Sequence, residues 1–226
     1  MSWLVDLAGV YGRVLRRGIE LSVRHWWLGP VFAAYQVALA IFAILVAPLG
    51  IAGGFLAAIA FAALASSGLV LLGYVVRQGR VTLADVPGSF GVYLSDVLTF
   101  GFLLWALEYI AGLAFLDRSY VAIVFELAVF VFLNAVFEEI YLAGASGAAV
   151  FVGSYQFVAT YWIEWLPAAA VLYVLWREVT ALPLGPIADV LGGLALAFMF
   201  VCRGLLFLEL TTSSRRTREF HRRAAG

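Results

Sequence analysis

LGPVFAAYQVALAIFAILVAPLGIAGGFLAAIAFAALASSGLVLLGYVVRQGR, residues 28–80, holds two apolar runs split by Pro48 and Gly50 and closed by Arg77 and Arg80. An α-helix needs about 20 mainly apolar residues to cross about 30 Å of hydrocarbon. Runs 28–48 and 51–76 both reach that length, so the stretch reads as a helical hairpin in a membrane. The whole chain agrees. Of 226 residues, 65% are hydrophobic and 12% charged, with a mean hydropathy of +1.02, whereas a soluble domain is about a quarter charged.

Four further runs fit the same rule, at about 97–116, 120–142, 165–183 and 186–209, with Asp117-Arg118-Ser119 and the pair Pro183 and Pro186 as breaks. The expected fold is an all-α, six-span bundle forming one integral membrane domain over 1–226. Arg13, Arg16, Arg17 and Arg24 precede the first run, Arg77 and Arg80 follow the second, and five arginines lie in the 211–226 tail. Short loops rich in arginine stay cytoplasmic. Six crossings put all three groups on one side, so both termini are expected in the cytoplasm.

Basic and acidic residues number 14 each, and no basic excess points to nucleic acid. The lone Cys202 allows neither a disulfide nor a cysteine metal site within one chain. The first apolar run follows an arginine-rich segment and lacks a small-residue cleavage site, so it reads as a span and not as a signal peptide.

Two segments are amphipathic. Residues 2–25 place Leu4, Leu7, Tyr11, Val14 and Leu15 at helical spacing, as a helix lying among headgroups or docked on the protein's own cytoplasmic face. Residues 145–163 place Phe151, Tyr155, Val158 and Trp162 on a stripe that continues to Trp165, with Gly153, Ser154 and Thr160 largely off it. They read as an interfacial helix, with a re-entrant segment as the alternative. Trp26, Trp27, Trp162 and Trp165 are expected as interfacial anchors, because tryptophan favours the membrane–water boundary. In the second run Gly50, Gly54, Ala58, Ala62 and Ser66 recur every fourth position, a spacing that suits close helix packing. Thr82 and Asp85 suggest the start of a short helix.

Polar groups inside spans are costly and are the first candidates for function. Here they are Glu108, Glu126, Asn134, Glu138 and Arg203, with Glu139 beside Glu138. Glu108 and Glu126 fall on neighbouring spans, where they would share a proton or a cation, or each bond to a neighbouring helix. Successive helical residues diverge by about 100°, so Glu138 is expected to face inward with Asn134 and Tyr141 while Glu139 turns toward headgroups or the following loop. Glu138 and Arg203 lie at matching depth, which predicts a buried ion pair between them. The alternative is an Arg203 that reaches to the interface alone.

EEIYLAG, 138–144, is similar to the E-E-x-x-x-R-G motif of CAAX-protease-like intramembrane metalloproteases, with Ala143 in place of the arginine. Those enzymes need further intramembrane histidines as metal ligands. The histidines here, His25 and His221, fall outside the runs, so no protease activity is expected. The C-terminal half also resembles uncharacterised bacterial six-span proteins grouped with the membrane domain of some glycerophosphodiester phosphodiesterases. The residues that carry this resemblance are EEIY at 138–141, YQFVATYWIEWLP at 155–167 and RGLLFLELTTSSRR at 203–216. It implies a bacterial inner-membrane location and brings no enzyme activity.

No glycine-rich phosphate loop or serine–histidine–acid set stands out, and no cofactor is expected. The expected function is a non-enzymatic accessory or scaffold subunit, with membrane lipids and other subunits or a second copy as partners. The alternative is a small proton- or cation-coupled transporter using Glu108 and Glu126. A polar cavity reaching both glutamates favours transport, and a dry core with an apolar lateral face favours the subunit. Lipid handling through the interfacial helices is a third reading.

Overall fold

The computed structural model describes residues 2–114, 119–183 and 185–212, with the side chains of 2–5, 108, 113–114, 119–122, 126 and 186 excepted. The described chain is an all-α bundle. Its elements are α1 (Ser2–Arg24), α2 (Leu28–Val46), α3 (Ile51–Gln78), α4 (Leu94–Ala114), α5 (Ser119–Phe132), the short α6 (Val136–Glu138), a π turn (Glu139–Ala143), α7 (Ala149–Thr180) and α8 (Pro186–Thr212). Tight 3₁₀ turns lie at Ala47–Leu49 and Leu83–Asp85.

Five helices are long and apolar enough to cross a membrane, at Leu28–Leu49, Ile51–Gln78, Leu94–Gly112, Ala149–Thr180 and Ile187–Thr212. Two sequence expectations need correction. The fourth run, 120–142, is not one helix, because the chain leaves helical geometry at 133–135 and re-forms as α6 and the π turn. The expected interfacial helix 145–163 and the fifth run 165–183 are one helix, α7, bent at Tyr161 (φ −118°, ψ 19°) and carrying Pro167. Proline removes one backbone donor and clashes with the carbonyl four residues earlier, which bends a helix without having to end it.

End contacts set the order of the bundle. His25 Nε2 lies 3.1 Å from the Gly79 carbonyl oxygen, which places the start of α2 beside the end of α3. Arg13 Nη2 bonds Glu209 Oε1 at 2.7 Å, and the Phe157 and Phe207 rings are 4.5 Å apart. These contacts bring α1 and the first half of α7 to the end of α8. The Gly147 amide donates to Asp96 Oδ1 at 3.2 Å, so α4 starts beside the chain that leads into α7. Chain segments 94–114 and 119–143 therefore run away from this end and return to it.

α8 is the most enclosed long helix, and α1, α2, α3 and α7 pack on it. The seam is close because it is built on glycine. A Cβ at Gly193 would meet the Gly29 carbonyl oxygen and, at 3.0 Å, the Ala33 nitrogen. α1 docks on the protein through Val10 and Leu21, while Leu15 stays outside. Tyr11 donates to the Glu164 carbonyl oxygen at 2.7 Å. Burial raises the Tyr11 phenol above its ordinary value, and Glu164 adds in the same direction. The small-residue stripe of α3 packs only in part, with Ala62 and Ser66 buried and Gly50, Gly54 and Ala58 exposed.

The loop before α4 is held by hydroxyls. Ser67 Oγ contacts Tyr35 Oη at 2.7 Å and Ser89 Oγ at 2.5 Å, and the Tyr93 amide donates to Ser66 Oγ at 2.8 Å. Thr82 and Asp85 form a reciprocal capping box on a 3₁₀ turn, where a short helix was expected.

Gly193→Ala should destabilise the protein by about 1–3 kcal/mol, since its methyl group meets backbone that cannot rotate away. Gly54→Ala, with nothing within 4 Å of its Cβ, should stay near the parent. Thermal unfolding in mild detergent, followed by size-exclusion of the surviving fraction, checks the ranking.

Candidate functional site

The site grows from the break in the fourth segment. Ala135 (φ −98°, ψ 10°) is non-helical, and the turn after α6 closes with i→i+5 geometry. Gly144, at φ +71°, ends it with its amide on the Glu139 carbonyl oxygen, in a left-handed conformation that glycine adopts without strain. Such a break frees backbone polar groups that lipid cannot satisfy. Side chains from three other helices satisfy them here. Ser154 Oγ donates to the Phe132 carbonyl oxygen at 2.8 Å and accepts from the Ala135 amide at 3.2 Å. Arg203 Nη2 donates to the Asn134 carbonyl oxygen, and Arg77 Nη2 donates to those of Leu142 and, at 3.2 Å, Tyr141.

Glu138 and Arg203 meet at the centre of this arrangement. Nε bonds Oε1 at 2.7 Å and Nη2 bonds Oε2 at 2.9 Å, a two-pronged contact in which Glu138 is 0% and Arg203 7% exposed. The guanidinium carbon lies 5.1 Å from the Trp165 ring centroid and 5.7 Å from that of Phe200. Trp165 Nε1 donates to Asn134 Oδ1 at 2.9 Å, and Tyr141 Oη donates to the Phe200 carbonyl oxygen at 3.2 Å. Asn134, Glu138 and Arg203 thus form one unit.

Two expected positions are corrected. Glu139 turns off the ion pair, but to α7 and not to headgroups or the following loop. It is 8% exposed and packs on the backbone of α7, where a Cβ at Gly153 would come within 2.7 Å of its Oε2. Glu138 and Glu139 both keep α-helical dihedrals, so their side chains diverge by the ordinary angle, and α7 packs on the face that Glu139 takes. Trp165 is no interfacial anchor, because it is fully buried and spends its N–H on Asn134. Trp26 and Trp162 are exposed and Trp27 is half-buried. The side chains of Glu108 and Glu126 lie outside the described residues. Sequence reasoning passed over Ser154 and Gly153 and took Arg77 for a topology marker only.

A cavity of about 730 Å³ adjoins the ion pair, walled by every helix from α2 to α8. Its described lining is mainly aliphatic and aromatic. Arg203 and Asn134 contribute polar groups, as do Tyr35, Gln36, Tyr173 and Trp176. Among the described residues no three His, Cys, Asp or Glu side chains gather to hold a metal ion. Comparison with family models, curated proteins and solved structures finds no match to this chain.

Glu138→Ala should lower stability by about 3–5 kcal/mol, because it leaves a buried guanidinium without its counter-charge. The exchange of Glu138→Arg with Arg203→Glu should recover part of that and not all, since the Asn134 carbonyl oxygen then loses its donor. A double-mutant cycle on unfolding midpoints in nanodiscs measures the coupling, and additive single effects would contradict it.

Proposed function

We propose that this protein is a non-enzymatic accessory or scaffold subunit of a membrane complex, with six crossings and both termini in the cytoplasm. The membrane is a bacterial inner membrane, as the resemblance of its C-terminal half implies. The observation that supports a subunit role is an aromatic ladder on α4. Phe102, Trp105 and Tyr109 are each about 60% exposed, their ring centroids 5.9 and 5.7 Å apart in sequence order, and the last pair is stacked. Tryptophan and tyrosine carry a polar edge that favours the bilayer interface over its hydrocarbon centre, yet Trp105 sits near the middle of this helix of membrane length, with Tyr109 one turn nearer its end. A second helix, from a partner or another copy, offers them both packing and hydrogen bonds. The transport reading is less well supported, because the described part of the cavity wall is mainly apolar and suits hydrocarbon better than a hydrated ion.

The six-crossing topology draws on the end contacts: segment 119–143 returns to the end where α4 began, so it counts as a crossing despite its break. Arg13, Arg16, Arg17, Arg24, Arg77 and Arg80 belong to that same end, which the positive-inside rule makes cytoplasmic.

Single cysteines at Leu49 and Leu182 should react with an impermeant maleimide from outside intact cells, and cysteines at Gln78 and Ser146 should react only after lysis. Outside labelling at Ser146 would reject the sixth crossing.

Nanodiscs cut directly from the native membrane should contain this chain in a complex larger than the monomer. Trp105→Ala with Tyr109→Ala should release it as a monomer, and Phe55→Ala with Ile59→Ala, on an exposed face of α3, should not. A monomer from the unmodified chain would reject the subunit reading.

A further inference from the structure

The cavity and the ion pair share a wall, and that wall specifies a ligand. The volume of about 730 Å³ falls within the roughly 300–1,000 Å³ of small-molecule sites. A space of this size whose described wall is mainly apolar forfeits dispersion contacts if it stays empty, and in a bilayer the molecules at hand to fill it are lipids.

The polar groups on the wall narrow the choice. The hydrogen bonds of Arg203 use Nε and Nη2. Among the described residues no acceptor engages Nη1, so Arg203 still has donors to offer where it borders the cavity. Trp176, on the same wall, has its Nε1 buried with no acceptor among the described residues. Both groups donate, and for the buried Trp176 Nε1 the lack of an acceptor is unfavourable by about 1–3 kcal/mol. The ligand must therefore bring an acceptor oxygen.

Charge decides what kind of oxygen. Arg203 is already neutralised by Glu138 at 2.7 Å. An added anion would leave the buried group with net negative charge in a low-dielectric region, where the desolvation penalty is high. A carbonyl oxygen takes the same hydrogen bond without that penalty. We propose that the cavity binds a neutral acyl lipid, with its ester or amide carbonyl on Arg203 Nη1 and its chain along the apolar wall. The proposal goes beyond the subunit role and does not depend on it.

Three probes share one C18 skeleton: methyl oleate, with a neutral carbonyl; oleate, with a carboxylate; and 1-octadecene, with no acceptor. Native mass spectrometry on the full chain, purified in mild detergent and stripped of lipid, should show methyl oleate saturating at one per chain. Its Kd at pH 8 should be about tenfold below those of oleate and octadecene. Ala65→Trp, which fills the cavity from α3 without touching the ion pair, should weaken methyl oleate by about tenfold. Glu138→Gln, which leaves the arginine charge unbalanced, should shift the preference to oleate. Equal or tighter binding of oleate or octadecene to the unmodified chain would overturn the proposal. So would methyl oleate binding that Ala65→Trp leaves unchanged, since that describes lipid on the outer surface.

Discussion

The two-pronged contact between Glu138 and Arg203 is the constraint on which the rest of the bundle depends. A carboxylate at 0% exposure persists away from water only with an opposite charge in contact and its lone pairs used. Meeting that condition fixes the rotation and height of α8 against the fourth segment. With Arg203 facing Glu138, the Phe200 carbonyl oxygen falls under the Tyr141 hydroxyl, and Gly204 lies where any side chain would collide with that hydroxyl. Trp165 then packs against the guanidinium and reaches Asn134, which sets α7 in the same register. Three chain segments thus share one geometry through one pair of charges.

The pair also resolves a backbone problem. A helix broken at membrane depth exposes carbonyl and amide groups that hydrocarbon cannot satisfy, and the break at 133–135 lies next to Glu138. Arg203 answers with Nη2, Ser154 covers both sides of the gap, and Arg77 takes the carbonyls of the π turn. This separates the case from buried ion pairs in soluble proteins, where well-packed apolar substitutes are often as stable or more so. Here an apolar substitute for Arg203 would remove the counter-charge and also strand the Asn134 carbonyl oxygen. The break and the arginine belong together.

Much of the architecture could be read from the sequence, because crossing length, proline and glycine act locally. Runs 28–48 and 51–76 correspond closely to α2 and α3, and the depth argument placed Glu138 and Arg203 at one level. The failures share a cause. Glu139 was expected to face headgroups or the following loop, and nothing in EEIYLA announces that Gly153, fourteen positions on, brings α7 over that face. Trp165 was assigned to the interface by residue type, because its partner Asn134 lies 31 positions away and reaches it only through the break. Segments 145–163 and 165–183 were read as an interfacial helix and a span, yet they are one helix that bends at Tyr161 and carries Pro167. The cavity was not legible at all, since seven helices contribute to its wall.

That cavity follows from where the ion pair acts. At the level of Glu138 the fourth segment is drawn against α8, with Arg203 as the link. Farther along, among the described residues, α5 keeps α7 as its aromatic partner, with the Phe130 and Tyr173 rings 6.3 Å apart. The chain cannot follow both partners at all heights, and the space left between them is lined by Asn134, Arg203 and Tyr173 as well as by apolar groups. A strong contact at one end and a weak aromatic contact farther on leave a gap that side chains do not close. The balanced charge at its edge lets that gap stay apolar in content while still offering a hydrogen-bond donor. A lone arginine there would draw in water or an anion, so the same contact that holds the helices together also sets what the space beside it can accept.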